Sequence, residues 1–218
     1  MNRSAPALAF AAFLAAPTAW AQVHWDVAAE GGALKRFVVS RPHGVPDAQI
    51  GPALELHGHV ALLPFVRVGA YVEHDISAIH GDSTRQITTF GARAKLTPPW
   101  PVGAFHSWIF AGFGYGLAYG QSFHTTIPLT TGAPSDVAVA GAAGSFFDVP
   151  LGIGLGWRVR RPLEITAELA THFALGGFGS LYSGDRPASA AGQPPLLVDT
   201  PGKDLFAIGL LLGVGLEL

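Results

Sequence analysis

From Phe206 to Leu218 the chain alternates without interruption: Phe206, Ile208, Leu210, Leu212, Val214, Leu216 and Leu218 share one parity. Ala207, Gly209, Leu211, Gly213, Gly215 and Glu217 take the other. Successive side chains on a β-strand point to opposite faces, so this segment has a continuous apolar face and a small or polar one. The same period of two recurs along the chain. Val149, Leu151, Ile153, Leu155 and Trp157 oppose Asp148, Gly152, Gly154, Gly156 and Arg158. Leu163, Ile165, Ala167, Leu169 and Phe173 oppose Glu164, Thr166, Glu168 and His172, and Ile109, Phe113, Tyr115, Leu117 and Tyr119 oppose Gly112, Gly114, Gly116 and Ala118.

The first half follows the same rule with more noise. Val23, Trp25 and Val27 oppose His24, Asp26 and Glu30; Leu54, Leu56 and Val60 oppose Glu55, His57 and His59. Val66, Val68 and Val72 oppose Arg67, Gly69, Tyr71 and Glu73, and Phe90, Ala92, Ala94 and Leu96 oppose Arg85, Thr89, Arg93 and Lys95. This pattern predicts about eight strands, each near the ~9–11 residues that a tilted transmembrane strand needs. Apart from His74, every charged or His side chain in these spans lies opposite the aliphatics.

Short links fall near Leu62–Pro64, Pro98–Gly103 and Arg160–Pro162. Longer ones run from about Lys35 to Gln49, His74 to Thr84, Gln121 to Ser145 and Gly176 to Lys203. Alternating short turns and long loops is the asymmetry of a bacterial outer-membrane barrel, with the turns periplasmic and the loops extracellular. Trp25, Trp100, Trp108 and Trp157 fall near the periplasmic ends of the predicted strands, and Tyr119, Phe146, Phe173 and Phe206 near the other rim. Aromatic girdles at both interfaces are expected of such barrels.

The N-terminus is consistent with export. Arg3 precedes an apolar stretch from Ala5 to Ala16, then Ala19-Trp20-Ala21 offers a small-x-small cleavage site. Residues 1–21 are therefore expected to be a signal peptide and residues 22–218 the barrel domain. Charged residues make up 13% of the chain, about half the usual share of a soluble domain. After the leader there is no run of apolar residues long enough for a spanning helix, so the hydrophobicity calls for another explanation. With no cysteine the chain has no disulfide framework and no thiolate metal site, and its net charge of −2 gives no sign of nucleic-acid binding.

On these patterns the chain resembles the small bacterial outer-membrane β-barrel proteins, the outer membrane protein A-like group of eight-stranded barrels. The resemblance spans nearly all of residues 22–218 and carries no site motif. It implies an all-β fold: an eight-stranded antiparallel up-and-down transmembrane barrel, inserted by the barrel-assembly machinery. Members of the group usually end in an aromatic residue, whereas this chain ends in Leu218.

Alternation alone does not say which face is inside. A secreted soluble barrel would turn its aliphatics inward around an apolar ligand. The opposite face would then meet water, yet it is mostly Gly and Ala with scattered charges, a poor soluble surface. It suits the narrow interior of about eight strands. The charges would line that interior, where Glu55, Arg67, Glu73, Arg93, Lys95, Asp148, Arg158, Glu164 and Glu168 are expected to form a salt-bridged plug. Trp25, Trp108, Trp157, Tyr119, Phe173 and Phe206 are the expected interfacial aromatics.

His24, Asp26, His57, His59 and Glu217 would converge near the periplasmic mouth. Imidazoles and carboxylates together suit zinc, but membership of the polar interior is the simpler reading, and no cofactor or metal is expected. His80, Asp82 and Ser83 lie in a predicted outer loop and suggest acyl transfer, although Gly81-Asp82-Ser83 reads better as a turn. The glycine runs at 112–116 and 152–156 follow the strand period rather than a nucleotide loop, and Pro150 predicts a bulge or a start of pairing after it. The expectation is therefore a non-enzymatic, monomeric barrel in outer-membrane lipid, serving envelope integrity, surface interaction through its loops or passage of very small solutes. A membrane-embedded lipid-modifying enzyme and the secreted apolar-ligand barrel are the alternatives.

Overall fold

The computed structural model describes residues 24–38, 50–78, 84–98, 102–128, 134–182, 185–189, 196–199 and 204–218. The expected signal peptide, Trp100 and the His80, Asp82 and Ser83 group lie outside these residues. Among the described residues twelve strands are formed: β1 Trp25–Val38, β2 Gly51–Leu63, β3 Val66–Ala78, β4 Thr84–Leu96, β5 Phe105–Gly120 and β6 Phe123–Pro128, followed by β7 Pro134–Val139, β8 Ala142–Arg160, β9 Leu163–Phe178, β10 Asp185–Ser189, β11 Leu196–Asp199 and β12 Asp204–Glu217. Eight of them close a barrel in the order β1-β12-β9-β8-β5-β4-β3-β2.

All neighbours in the ring are antiparallel. Closure is made by β1 and β12, with Asp26 opposite Glu217 and Ala33 opposite Leu210. Trp25 and Leu218 exchange two backbone hydrogen bonds, of 3.0 and 2.9 Å, at the end of that seam. Closure matters because it pairs every strand edge, and hydrocarbon offers an open edge no partners. The barrel strands run from 13 to 19 residues, longer than the ~9–11 that a bilayer requires, so the cylinder projects beyond it.

The long connections hold more order than their turn-rich composition suggests. Segments 121–145 and 176–203, predicted as loops, contain β6, β7, β10 and β11, which form a second sheet in the order β11-β10-β7-β6. The hairpin β6–β7 and the pair β10–β11 join through Ala188↔Val139 and Ser189↔Ala138. Backbone groups beyond the rim need partners, and two neighbouring hairpins supply them to each other. Two other predicted loops also begin later than expected, because β1 runs on to Val38 and β3 to Ala78.

Pro150 produces a gap rather than a bulge. The β5–β8 register passes from Ala111↔Leu151 to Gly114↔Asp148 without a shift, and the two pairs between are absent. Pro150 still pairs with His172 of β9 on its other side. A proline has no N–H to donate, so the ladder opens locally and the register survives.

Candidate functional site

Side-chain alternation sends one set of residues into the bore, and they fill it. At the end holding Trp25 and Leu218, Arg67 Nη1 donates to Asp26 Oδ2 at 2.5 Å and Nη2 to Glu217 Oε1 at 2.7 Å. Arg158 Nη2 donates to Glu217 Oε2 at 2.6 Å, and Lys95 Nζ lies 3.6 Å from Asp26 Oδ1. His106 of β5 faces Glu164 of β9 at 3.2 Å.

Arg93 of β4 organises the next level. Its Nη1 donates to Glu55 Oε1 of β2 at 2.7 Å and to Glu168 Oε2 of β9 at 3.0 Å, and Nη2 reaches Glu168 Oε1 at 3.0 Å. Its Nε donates to His59 Nε2 at 2.9 Å, while His59 Nδ1 bonds Asp26 Oδ1 at 2.8 Å. The guanidinium lies over the Phe110 ring, 4.4 Å from its centroid.

Farther along, His172 of β9 sits between Asp148 Oδ2 at 3.0 Å and Glu73 Oε2 of β3 at 3.2 Å. Tyr71 Oη donates to the same Asp148 carboxylate at 2.6 Å. Arg36 of β1 binds Asp75 of β3 through Nε and Nη2. Beyond this level Ile87, Ala118, Phe146, Leu181 and Tyr182 form a buried apolar cluster, so side chains at the long-loop end close the ionic layers over. Arg85 donates to Tyr182 Oη at 2.9 Å within this cap.

Such groups lose several kcal/mol of hydration each on burial, which only mutual pairing offsets. Among the described residues the bore holds nine carboxylates: Asp26, Glu30, Glu55, Glu73, Asp75, Asp148, Glu164, Glu168 and Glu217. Six cations face them: Arg36, Arg67, Arg85, Arg93, Lys95 and Arg158. Histidines are interleaved with both, so most carboxylates touch a cation or an imidazole.

All nine residues predicted for the charge network point into the bore. Arg36 and Asp75 belong to it as well, in segments that the sequence predicts as loops. Tyr71 and His172 lie on the inward face that their parity predicts, and neighbouring strands supply their partners. Of the five candidate metal ligands, Asp26, His57 and His59 come together. Glu217 is instead held by Arg67 and Arg158, and His24 is exposed at the barrel end.

Among the predicted interfacial aromatics, Trp25, Trp157, Tyr119 and Phe173 are exposed on the outer face. Phe206 also faces outward, stacked 4.4 Å from Phe37. Trp108 is a correction: it is 1% exposed, inside the barrel, with Nε1 donating to Glu168 Oε1 at 2.8 Å and Lys95 Nζ 3.9 Å from the ring centroid. It shares the parity of the inner face of β5, and its indole lies over Gly154 of β8, where any Cβ would collide with the ring. Phe146 is likewise buried inside, over Gly116.

The outer face is the reverse of the inner one. Leu210, Leu212, Ile153 and Leu155 are all more than half exposed, among a belt of aliphatic and aromatic side chains. An apolar surface of that extent around a polar, charged centre matches lipid outside, not water. The fold and its filled bore therefore define an integral outer-membrane β-barrel of the small, eight-stranded class.

A solved structure agrees on the fold. The chain is similar to Neisserial surface protein A, at 12% identity and a TM-score of 0.51, covering 89% of this chain and 97% of that one. Ail, the attachment invasion locus protein of Yersinia pestis, follows at 11% identity and 0.49, covering 90% and 99%. The outer membrane protease OmpT from Escherichia coli gives 10% and 0.39, covering 90% and 96%. No family model matches the sequence. No curated protein does either.

Proposed function

We propose that this barrel is a closed, non-enzymatic scaffold of the outer membrane that holds an extracellular β-sheet for surface interaction. One observation carries the reading: the bore is spanned from wall to wall. His172 on β9 and Glu73 on β3 are 3.2 Å apart, yet their strands stand four places apart either way round the ring of eight. Arg93 makes a second crossing to Glu168, and the apolar cluster stops the long-loop end. Side chains so committed to each other support a closed lumen.

Among the described residues the sheet β11-β10-β7-β6 is then the part left to meet other molecules, since the walls face lipid and the interior is filled. Residence as a monomer and insertion by the barrel-assembly machinery belong to the same reading. Planar-bilayer recording tests it. The protein is expected to insert without resolved conductance steps at moderate voltage; steady channels from the unmodified barrel would refute the closed lumen.

A further inference from the structure

We infer that the lumen binds one divalent transition-metal ion, zinc or a similar first-row cation, through Glu30 of β1, His57 of β2 and Glu168 of β9. This goes beyond the closed-barrel reading and stands or falls separately from it. The three offer one imidazole nitrogen and two carboxylate oxygens, all within 4.8 Å of one another and all buried. Oxygen and nitrogen donors converging at that separation suit zinc and its neighbours.

Glu30 supplies the independent sign. It is 3% exposed, and neither carboxylate oxygen has a hydrogen-bond partner. Thr166 lies across Gly213 of β12 from it, and the Thr166 hydroxyl likewise has no hydrogen-bond partner. Each other carboxylate in the described bore has an ion pair or a hydrogen bond. A buried carboxylate needs a cation or donors, and Glu30 has no ion pair or hydrogen bond although it faces His57 and Glu168.

His57 is prepared for the role. Its Nδ1 bonds Glu55 Oε1 at 2.9 Å, which fixes the ring and directs the Nε2 lone pair away as a ligand. A carboxylate behind a ligating histidine is the usual support of a metal site. Glu168 accepts from Arg93 and Trp108 and retains lone-pair capacity for a further contact. Charge agrees with this: the bore has three more carboxylates than Arg and Lys side chains, and a dication offsets two of them.

The alternative cluster of Asp26, His57 and His59 is equally compact but chemically occupied. Both ring nitrogens of His59 are bonded, to Asp26 and Arg93, and Asp26 also serves Arg67 and Lys95. No lone pair of His59 is left for a metal.

The test is metal content after refolding. The barrel is stripped with chelator, unfolded in urea, refolded into detergent with zinc or cobalt(II) chloride, desalted and measured by elemental mass spectrometry. Heat-modifiable gel migration verifies that each variant is folded. Unmodified protein and His59→Gln are expected to retain about one ion per chain, with visible absorption for cobalt. Glu30→Gln and His57→Gln are expected to retain about tenfold less; either suffices if the other fails to fold. Refolded unmodified barrel without metal overturns the site. So does a Glu30→Gln variant that retains as much as the unmodified chain, or loss confined to His59→Gln.

Discussion

Arg93 makes four hydrogen bonds to three lumen partners, Glu55, Glu168 and His59. Removing it leaves two carboxylates in a water-poor interior, and breaking a buried pair on one side costs about 3–5 kcal/mol. Arg93→Ala is therefore expected to lower the free energy of unfolding by that amount, measured by urea titration in detergent or vesicles. Arg93→Lys should recover only part of it, because an ammonium cannot form the two-pronged pair with Glu168. An Arg93→Ala barrel as stable as the parent would mean that Glu55 and Glu168 do not depend on this guanidinium. Trp108 teaches a different lesson at this scale. Its place near a strand end points to an interface, but strand parity and the bare backbone of Gly154 opposite give it a place inside.

Strand β12 shows how one element serves two media. Leu210, Leu212 and Val214 are outward and exposed, while Ala207 and Leu211 are fully buried inside. Leu211 packs with Leu34 and Ala53, so part of the lumen wall is apolar although the opposite face meets lipid. An arginine facing hydrocarbon near the bilayer midplane costs about 2–4 kcal/mol. Leu210→Arg is accordingly expected to reduce folding into lipid vesicles, scored by the fraction of heat-modifiable species. Equal folding yields for Leu210→Arg and the parent would contradict an outward, lipid-facing Leu210. Strand β8 adds that a proline is tolerated where the register can continue past a missing donor.

The whole molecule divides into a closed cylinder and a sheet made from its long connections. The eight barrel strands pair among themselves in a complete ring, and the second sheet contributes none of those pairs. Replacing residues 123–139 by a short Gly-Ser turn is thus expected to keep the heat-modifiable, compact barrel, because loops tolerate deletion better than the elements they join. Surface binding by cells carrying the protein should fall at the same time. Loss of the compact form would show that β6 and β7 support the cylinder itself.

Periodicity alone was enough to reveal the barrel, because lipid outside and charge inside force opposite chemistries onto successive residues of every strand. It also assigned Glu55, Arg93, Glu168 and their companions to one inner surface. It could not say that Arg93 reaches Glu168 rather than Glu164, or that His172 crosses to Glu73, since those contacts join strands far apart in the chain. Arg36 and Asp75 keep the inward parity of their strands, but Lys35 and His74 beside them put polar side chains on the outer face, so the sequence reads there as loop. The inward aromatics left a trace in the glycines opposite them, at 154, 116 and 152, which reads as a run of small residues until the partner strand is known. A local period determines which way a side chain points; only closure of the ring determines what it meets.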